Sequence, residues 1–71
     1  MEYFSVSSTT IQSVGYDADT MTLAVIFTAG TEYHYYGVPA EIVDQLRASP
    51  SAGRFLNESI KKAGYSYARV R

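Results

Sequence analysis

This 71-residue chain holds one histidine, His34, and no cysteine. Those counts exclude the usual zinc clusters, which gather several nitrogen or sulfur ligands, and exclude thiol–imidazole catalysis. Asp17 and Asp19 lie in turn-forming sequence, where short carboxylates bond their own backbone. Ser49 and Ser51 flank Pro50, and helix capping accounts for them. The glycines are scattered singly, so no glycine-rich phosphate loop forms. The sequence therefore reads as a non-enzyme without metal or other cofactor. The residues left with chemical potential are aromatic and basic. Tyr33, Tyr35 and Tyr36 surround His34, and all six lysines and arginines (Arg47, Arg54, Lys61, Lys62, Arg69, Arg71) lie after residue 46. Six of the seven acids (Glu2, Asp17, Asp19, Glu32, Glu41, Asp44) lie before Arg47, and only Glu58 follows it. The total of −1 thus joins a segment of charge −6 to one of +5. Bases with interleaved aromatics suit a nucleic-acid backbone with unpaired bases beside it.

The elements that must position these groups are legible in outline. A chain this short buries only about 60% of its unfolded surface, so most apolar residues go to one core. With 46% hydrophobic residues it is globular rather than disordered. The longest apolar run, Leu23–Phe27, is far below the ~20 residues of a membrane span, and the N-terminus has no basic leader. The chain reads as a complete or nearly complete cytoplasmic protein with no membrane contact. Residues 1–7 read as a loose arm. Strands are expected over Ile11–Tyr16 and Met21–Thr28, where Met21, Leu23, Val25 and Phe27 alternate with Thr22, Ala24, Ile26 and Thr28.

The next turn fixes a register. A three-residue loop, Thr28-Ala29-Gly30, gives glycine the left-handed position. It pairs Phe27 with Thr31, Val25 with Tyr33 and Leu23 with Tyr35. Tyr33 and Tyr35 then share the face of Leu23 and Val25, while Glu32, His34 and Tyr36 share the other. A two-residue loop would exchange the faces; the longer one explains Gly30 and keeps Glu32 from Phe27. Beyond Gly37 the period becomes helical. Pro39 suits the first helical position, and Val38, Ile42, Val43 and Leu46 form a stripe. A second helix is expected from an N-cap at Ser49 through Pro50 to Ala63. It buries Ala52, Phe55, Leu56, Ser59, Ile60 and Ala63 and turns Arg54, Asn57, Glu58 and Lys61 outward. Gly64 stops it, and the tail Tyr65–Arg71 alternates again with its tyrosines and arginines at odd positions. The fold class is α+β: a three-stranded antiparallel β-meander, two helices packed on one sheet face, and an extended C-terminal tail.

The order of residues carries a resemblance. Ser8-x-x-Ile11, Gly15-Tyr16-Asp17, Leu23-x-Val25-x-Phe27, Gly30, Tyr33-x-Tyr35 with Val38-Pro39, and Gly53-x-Phe55-Leu56-Asn57-x-x-Ile60 follow one another. In this the chain resembles the KTSC family, the short domain named for the C-terminus of some lysyl-tRNA synthetases. The resemblance spans residues 8–67, with 68–71 as a basic tail, and Tyr33-x-Tyr35 is the family hallmark. It implies a bacterial or phage-type domain without known catalysis and a suggested RNA-binding role. Tyr36 extends the hallmark to three tyrosines, and the pI of about 5.6 opposes indiscriminate nucleic-acid binding.

Each candidate has a structural alternative. Tyr33 and Tyr35 can stack bases, but beside Leu23 and Val25 they read as sheet packing with hydroxyls at the rim. His34 and Tyr36, on the face away from the helices, are the better stacking candidates. Arg54, Asn57 and Lys61 project together and can hold phosphates, or form a solvated helix side. Lys62 can pair with Glu58 one turn earlier. Arg69 and Arg71 can track a backbone or fray. The expected function is a non-catalytic module that contacts RNA, including tRNA, weakly and in a salt-dependent way. The alternative is a protein-interaction module whose acidic and basic segments pair within or between chains. The sequence leaves the oligomeric state open.

Overall fold

The turn at Thr28-Ala29-Gly30 sets the register of the sheet. In the computed structural model, which describes residues 1–71, Gly30 takes φ +95°. Its N–H donates to the Phe27 carbonyl at 2.9 Å, and the Phe27 N–H donates to the Thr31 carbonyl at 2.8 Å. Val25 faces Tyr33 and Leu23 faces Tyr35, as the bulged loop requires. These residues belong to β3 (Thr22–Phe27) and β4 (Glu32–Tyr36). Preceding them, β2 (Ile11–Asp17) pairs with β3, and the Asp17 carboxylate accepts the Asp19 N–H at 3.0 Å in the intervening turn.

The sheet is larger than the three strands expected. It has five, antiparallel and in chain order, because both termini join it. The segment expected to be a loose arm forms β1 (Glu2–Phe4) on the edge of β2, with Tyr3 opposite Gly15 and Phe4 opposite Val14. Farther along, the Ser7 carbonyl accepts the Ala52 N–H at 2.8 Å. The tail forms β5 (Ser66–Arg69) on the free edge of β4. Edge strands need only one partner and little burial, so their sequence signal is weak.

Two helical segments lie between β4 and β5 and serve one face. Helix α1 (Ala40–Ala48) starts after Pro39, whose carbonyl accepts the Ile42 N–H at 3.0 Å; the proline caps the helix rather than entering it. Helix α2 (Ala52–Phe55) begins later than expected, since Ser49 Oγ takes the Ser51 N–H in a local turn and Pro50 stays outside. It continues as a π-helical stretch, Leu56–Lys61. Val43, Leu46, Ala52, Leu56 and Ile60 pack with Ile11, Val14, Leu23, Val25, Tyr35 and Val38 in one core. The Tyr16 hydroxyl reaches across to the Val38 carbonyl at 2.6 Å, tying β2 to the start of α1. Ala63, expected inside, is exposed, and Met21, expected as the first residue of a strand, lies in the turn before β3. The wider π turn (the Lys62 N–H bonds the Asn57 carbonyl five residues back) shifts the helical phase, and the helix ends before Ala63. No helix is long and apolar enough to cross a membrane.

The opposite face has no helix, yet Ala24 on it is fully buried. Tyr3 explains this. A Cβ on Gly15 would lie 2.9 Å from the Tyr3 ring, while the Tyr3 hydroxyl reaches Glu32 on β4. The ring therefore lies across β2 and β3, where Gly15 and Ala24 leave room for it. Gly15→Ala is expected to displace this exposed-edge ring rather than the core. Amide exchange in β1 should accelerate at least about tenfold, a loss of about 1.4 kcal/mol locally, while β3 protection is unchanged. Tyr3→Ala should give the same pattern in hydrogen-exchange NMR, and Gly15→Ala added to it should change little more.

Candidate nucleic-acid interface

Alternation along β4 divides the candidate residues between two faces. Glu32, His34 and Tyr36 point away from the helices; Tyr33 and Tyr35 point toward them. On the first face Glu32 is 6% exposed and fully coordinated. Its Oε1 accepts from Arg71 Nη2 and, at 3.0 Å, from Arg71 Nε. Its Oε2 accepts from His34 Nε2 at 2.8 Å and from the Tyr3 hydroxyl at 3.3 Å. Four donors match the four lone-pair sites of a carboxylate, and the acceptor requires that His34 Nε2 carry a proton.

A β-bulge brings Arg71 there. Val70 and Arg71 both donate their N–H to the Glu32 carbonyl, at 2.9 and 3.4 Å, and the Glu32 N–H donates to the Arg71 carbonyl at 3.1 Å. Two residues thus oppose one, and Arg71 joins the face of Glu32 while Arg69, opposite Tyr33, stays on the other. The tail's odd-position alternation had put both arginines on one side; the bulge separates them. His34 is held by Glu32, whereas Tyr36 is 41% exposed with its hydroxyl free.

The helix-side face collects the remaining tyrosines. β5 sets Tyr67 opposite Tyr35, and the Tyr33, Tyr35 and Tyr67 rings lie 5.8 to 6.4 Å apart between centroids. Phe27 meets Tyr33 edge-on at 6.0 Å. Lys61 completes the group. Regular α-helical phase places it outward with Arg54, but the π turn brings its ammonium 5.4 Å from the Phe27 ring centre. Tyr33, Tyr35, Tyr67 and Lys61 line a cavity of about 260 Å³. Tyr67 is 65% exposed, and Tyr35 is buried at the base. Burial, then the neighbouring Tyr33 and Tyr67, pushes the Tyr35 phenol above its ordinary value, so it stays a hydroxyl donor at neutral pH. Arg69 lines the adjoining cleft with Phe27 and Tyr33.

The other candidates lie apart from this group. Arg54 pairs with Glu58 at 3.3 Å, so Glu58 serves Arg54 rather than the expected Lys62. Both side chains are well exposed, and such a pair contributes little. Asn57 and Lys62 are exposed. Arg47 lies over the Phe4 ring at 4.2 Å. Lys61, Lys62 and Arg69 pair with no Asp or Glu side chain, and Arg69 Nε donates to the Arg71 main-chain oxygen at 3.1 Å. Sequence reading placed the Tyr33–Tyr35 pair correctly but missed Tyr67 as its third member; the matching parity of β4 and the tail was the available signal.

The Glu32 carboxyl is held below the usual glutamate value, first by the His34 hydrogen bond and then by Arg71, against the upward push of burial. A depressed folded-state pKa contributes stability above the unfolded value of about 4.3, and that contribution is lost as pH falls through the folded pKa. Thermal unfolding should therefore show stability falling below about pH 4 in the native chain and falling less in Glu32→Gln. At neutral pH the variant should lose about 1–2 kcal/mol.

Comparison with known proteins follows the same geometry. Residues 7–69 match the KTSC domain model. A solved structure of a KTSC domain protein from Yersinia pestis superposes with a TM-score of 0.87 at 32% identity, covering 99% of this chain and 97% of that one. A protein of Tsukamurella paurometabola is 46% identical over 56 residues, covering 79% of this chain and 84% of its own length. A lysine–tRNA ligase of Nostoc punctiforme is 35% identical over 51 residues, which is 72% of this chain but 9% of the ligase. The chain belongs to the KTSC domain family.

Proposed function

We propose that the chain is a non-catalytic module that contacts single-stranded RNA through the Tyr33–Tyr35–Tyr67 group, with Lys61 and Arg69 holding phosphates. One observation carries the reading. The two cations flanking these rings pair with no Asp or Glu side chain, Arg69 donating from Nε only to the Arg71 main-chain oxygen at 3.1 Å, whereas Arg71 and Arg54 each pair with a glutamate. The exposed Tyr67 ring, with half-buried Tyr33 and the two cations beside it, suits stacking with backbone neutralisation, the common mode of single-strand recognition. The likeness to a segment of a lysine–tRNA ligase adds support by association and makes tRNA single-stranded regions a sensible ligand. The expected site thereby moves off His34 and Tyr36 and onto the opposite face.

A protein partner is the second reading. Met1, Tyr3 and Tyr36 are exposed, and Tyr3 and Tyr36 belong to the helix-free face. Pairing between the acidic and basic segments within one chain has a concrete instance in Arg71 and Glu32.

Fluorescence anisotropy with a labelled single-stranded RNA separates the readings. Two phosphate contacts give a slope of log affinity on log salt of about −1.4, and Lys61→Gln or Arg69→Gln should halve it. Tyr67→Ala should cost about 1–3 kcal/mol of binding. His34→Ala and Tyr36→Ala should leave affinity unchanged. A salt-independent affinity, or a loss confined to the last two variants, contradicts the proposal, and no binding to any RNA favours the protein partner.

A further inference from the structure

The tyrosine cavity is shaped for less than an RNA segment. Its three rings are tilted by 31°, 38° and 59° to one another, so they form the sides of a funnel rather than a flat shelf. A base sandwiched between two rings needs them parallel, with a gap between their faces wide enough to admit it. No pair here offers that, since the rings are tilted to one another and their centroids lie only 5.8 to 6.4 Å apart. No base is therefore sandwiched between two of these rings. One planar group can enter and lie on the exposed side of Tyr67. The volume of about 260 Å³ agrees, lying just below the ~300–1,000 Å³ of small-molecule clefts.

The polar lining defines what else the occupant carries. Among the tyrosine hydroxyls only those of Tyr3 and Tyr16 donate to the protein. Those of Tyr33, Tyr35 and Tyr67 are left to donate and accept around the cavity, where base edges and ribose hydroxyls present both functions. The Lys61 ammonium, with no carboxylate nearby, adds one anion site at the rim.

We propose that the cavity of Tyr33, Tyr35, Tyr67 and Lys61 is a mononucleotide subsite, taking one unpaired base against Tyr67 with its attached phosphate on Lys61. This deepens the RNA reading and rests on it, but it predicts something that reading does not: a single nucleotide binds by itself. Arg69, beyond Tyr33, is left for the next phosphate of a longer strand.

Titration of the full chain with uridine monophosphate, uridine and inorganic phosphate, followed by NMR shifts of backbone and tyrosine ring signals, tests it. The monophosphate should shift Tyr67, Tyr33 and Lys61 with a dissociation constant near ~1 mM, and uridine should bind at least about fivefold more weakly. Phosphate alone should leave the rings unmoved. Lys61→Met should make nucleotide and nucleoside bind alike, and Tyr67→Ala, at an exposed site, should abolish both. The proposal is overturned if the monophosphate moves none of these signals at about 10 mM, or if nucleotide and nucleoside bind equally to the native chain. An RNA oligonucleotide run in parallel separates the failures. If it binds while the mononucleotide does not, only the subsite is lost; if neither binds, the RNA reading falls as well.

Discussion

One carboxylate ties the end of the chain, just past the last strand, to the sheet. Glu32 is almost wholly buried on β4, and without its partners it would be a charge stranded in the sheet. Arg71 supplies that partner from the tail, His34 from the next same-face position, and Tyr3 from the opposite edge. Both terminal strands are thereby secured to the middle of the sheet, β5 by an ion pair and β1 by a phenol lying over Gly15. The placement of β5 in turn sets Tyr67 against Tyr33 and Tyr35 and leaves Arg69 beside Phe27. Arg71 itself is largely exposed, so the pair adds little net stability, but stripping the partners from the buried carboxylate is costly, and the pair acts as a constraint on register.

The same constraint resolves the uneven distribution of charge along the chain. A −6 segment followed by a +5 segment suggests a basic surface for a polyanion. Folding removes much of that surface. Arg71 neutralises Glu32, Arg54 pairs with Glu58, and Arg47 covers Phe4. Lys61, Lys62 and Arg69 remain, and two of these three flank the aromatic cavity. The functional reading depends on position more than on amount of charge, as befits a protein with an acidic sequence pI.

Much of the fold was legible because turn chemistry and side-chain parity agree. Gly30 demanded a left-handed residue, which fixed the loop length, the β3–β4 pairs and the two faces of β4. The helix stripes followed from apolar spacing up to Ile60. What was hidden depended on contacts distant in sequence or on small backbone irregularities. β1 has only three residues, and its anchor is a ring over a glycine twelve positions away. The π turn and the tail bulge each shift a side chain by about one position, and no residue type announces either. These two irregularities account for the main site differences: Lys61 joins the tyrosines, and Arg71 leaves Arg69 for the opposite face.

The central claim is that RNA meets the helix-side tyrosines and not the helix-free face. Zero-length ultraviolet crosslinking of the intact chain to single-stranded RNA, with attachment sites read by mass spectrometry, addresses it directly, because tyrosines occupy both faces. The account predicts attachment at Tyr67 and Tyr33, suppressed by raised salt. Attachment at Tyr3 or Tyr36, or at no tyrosine, would contradict it.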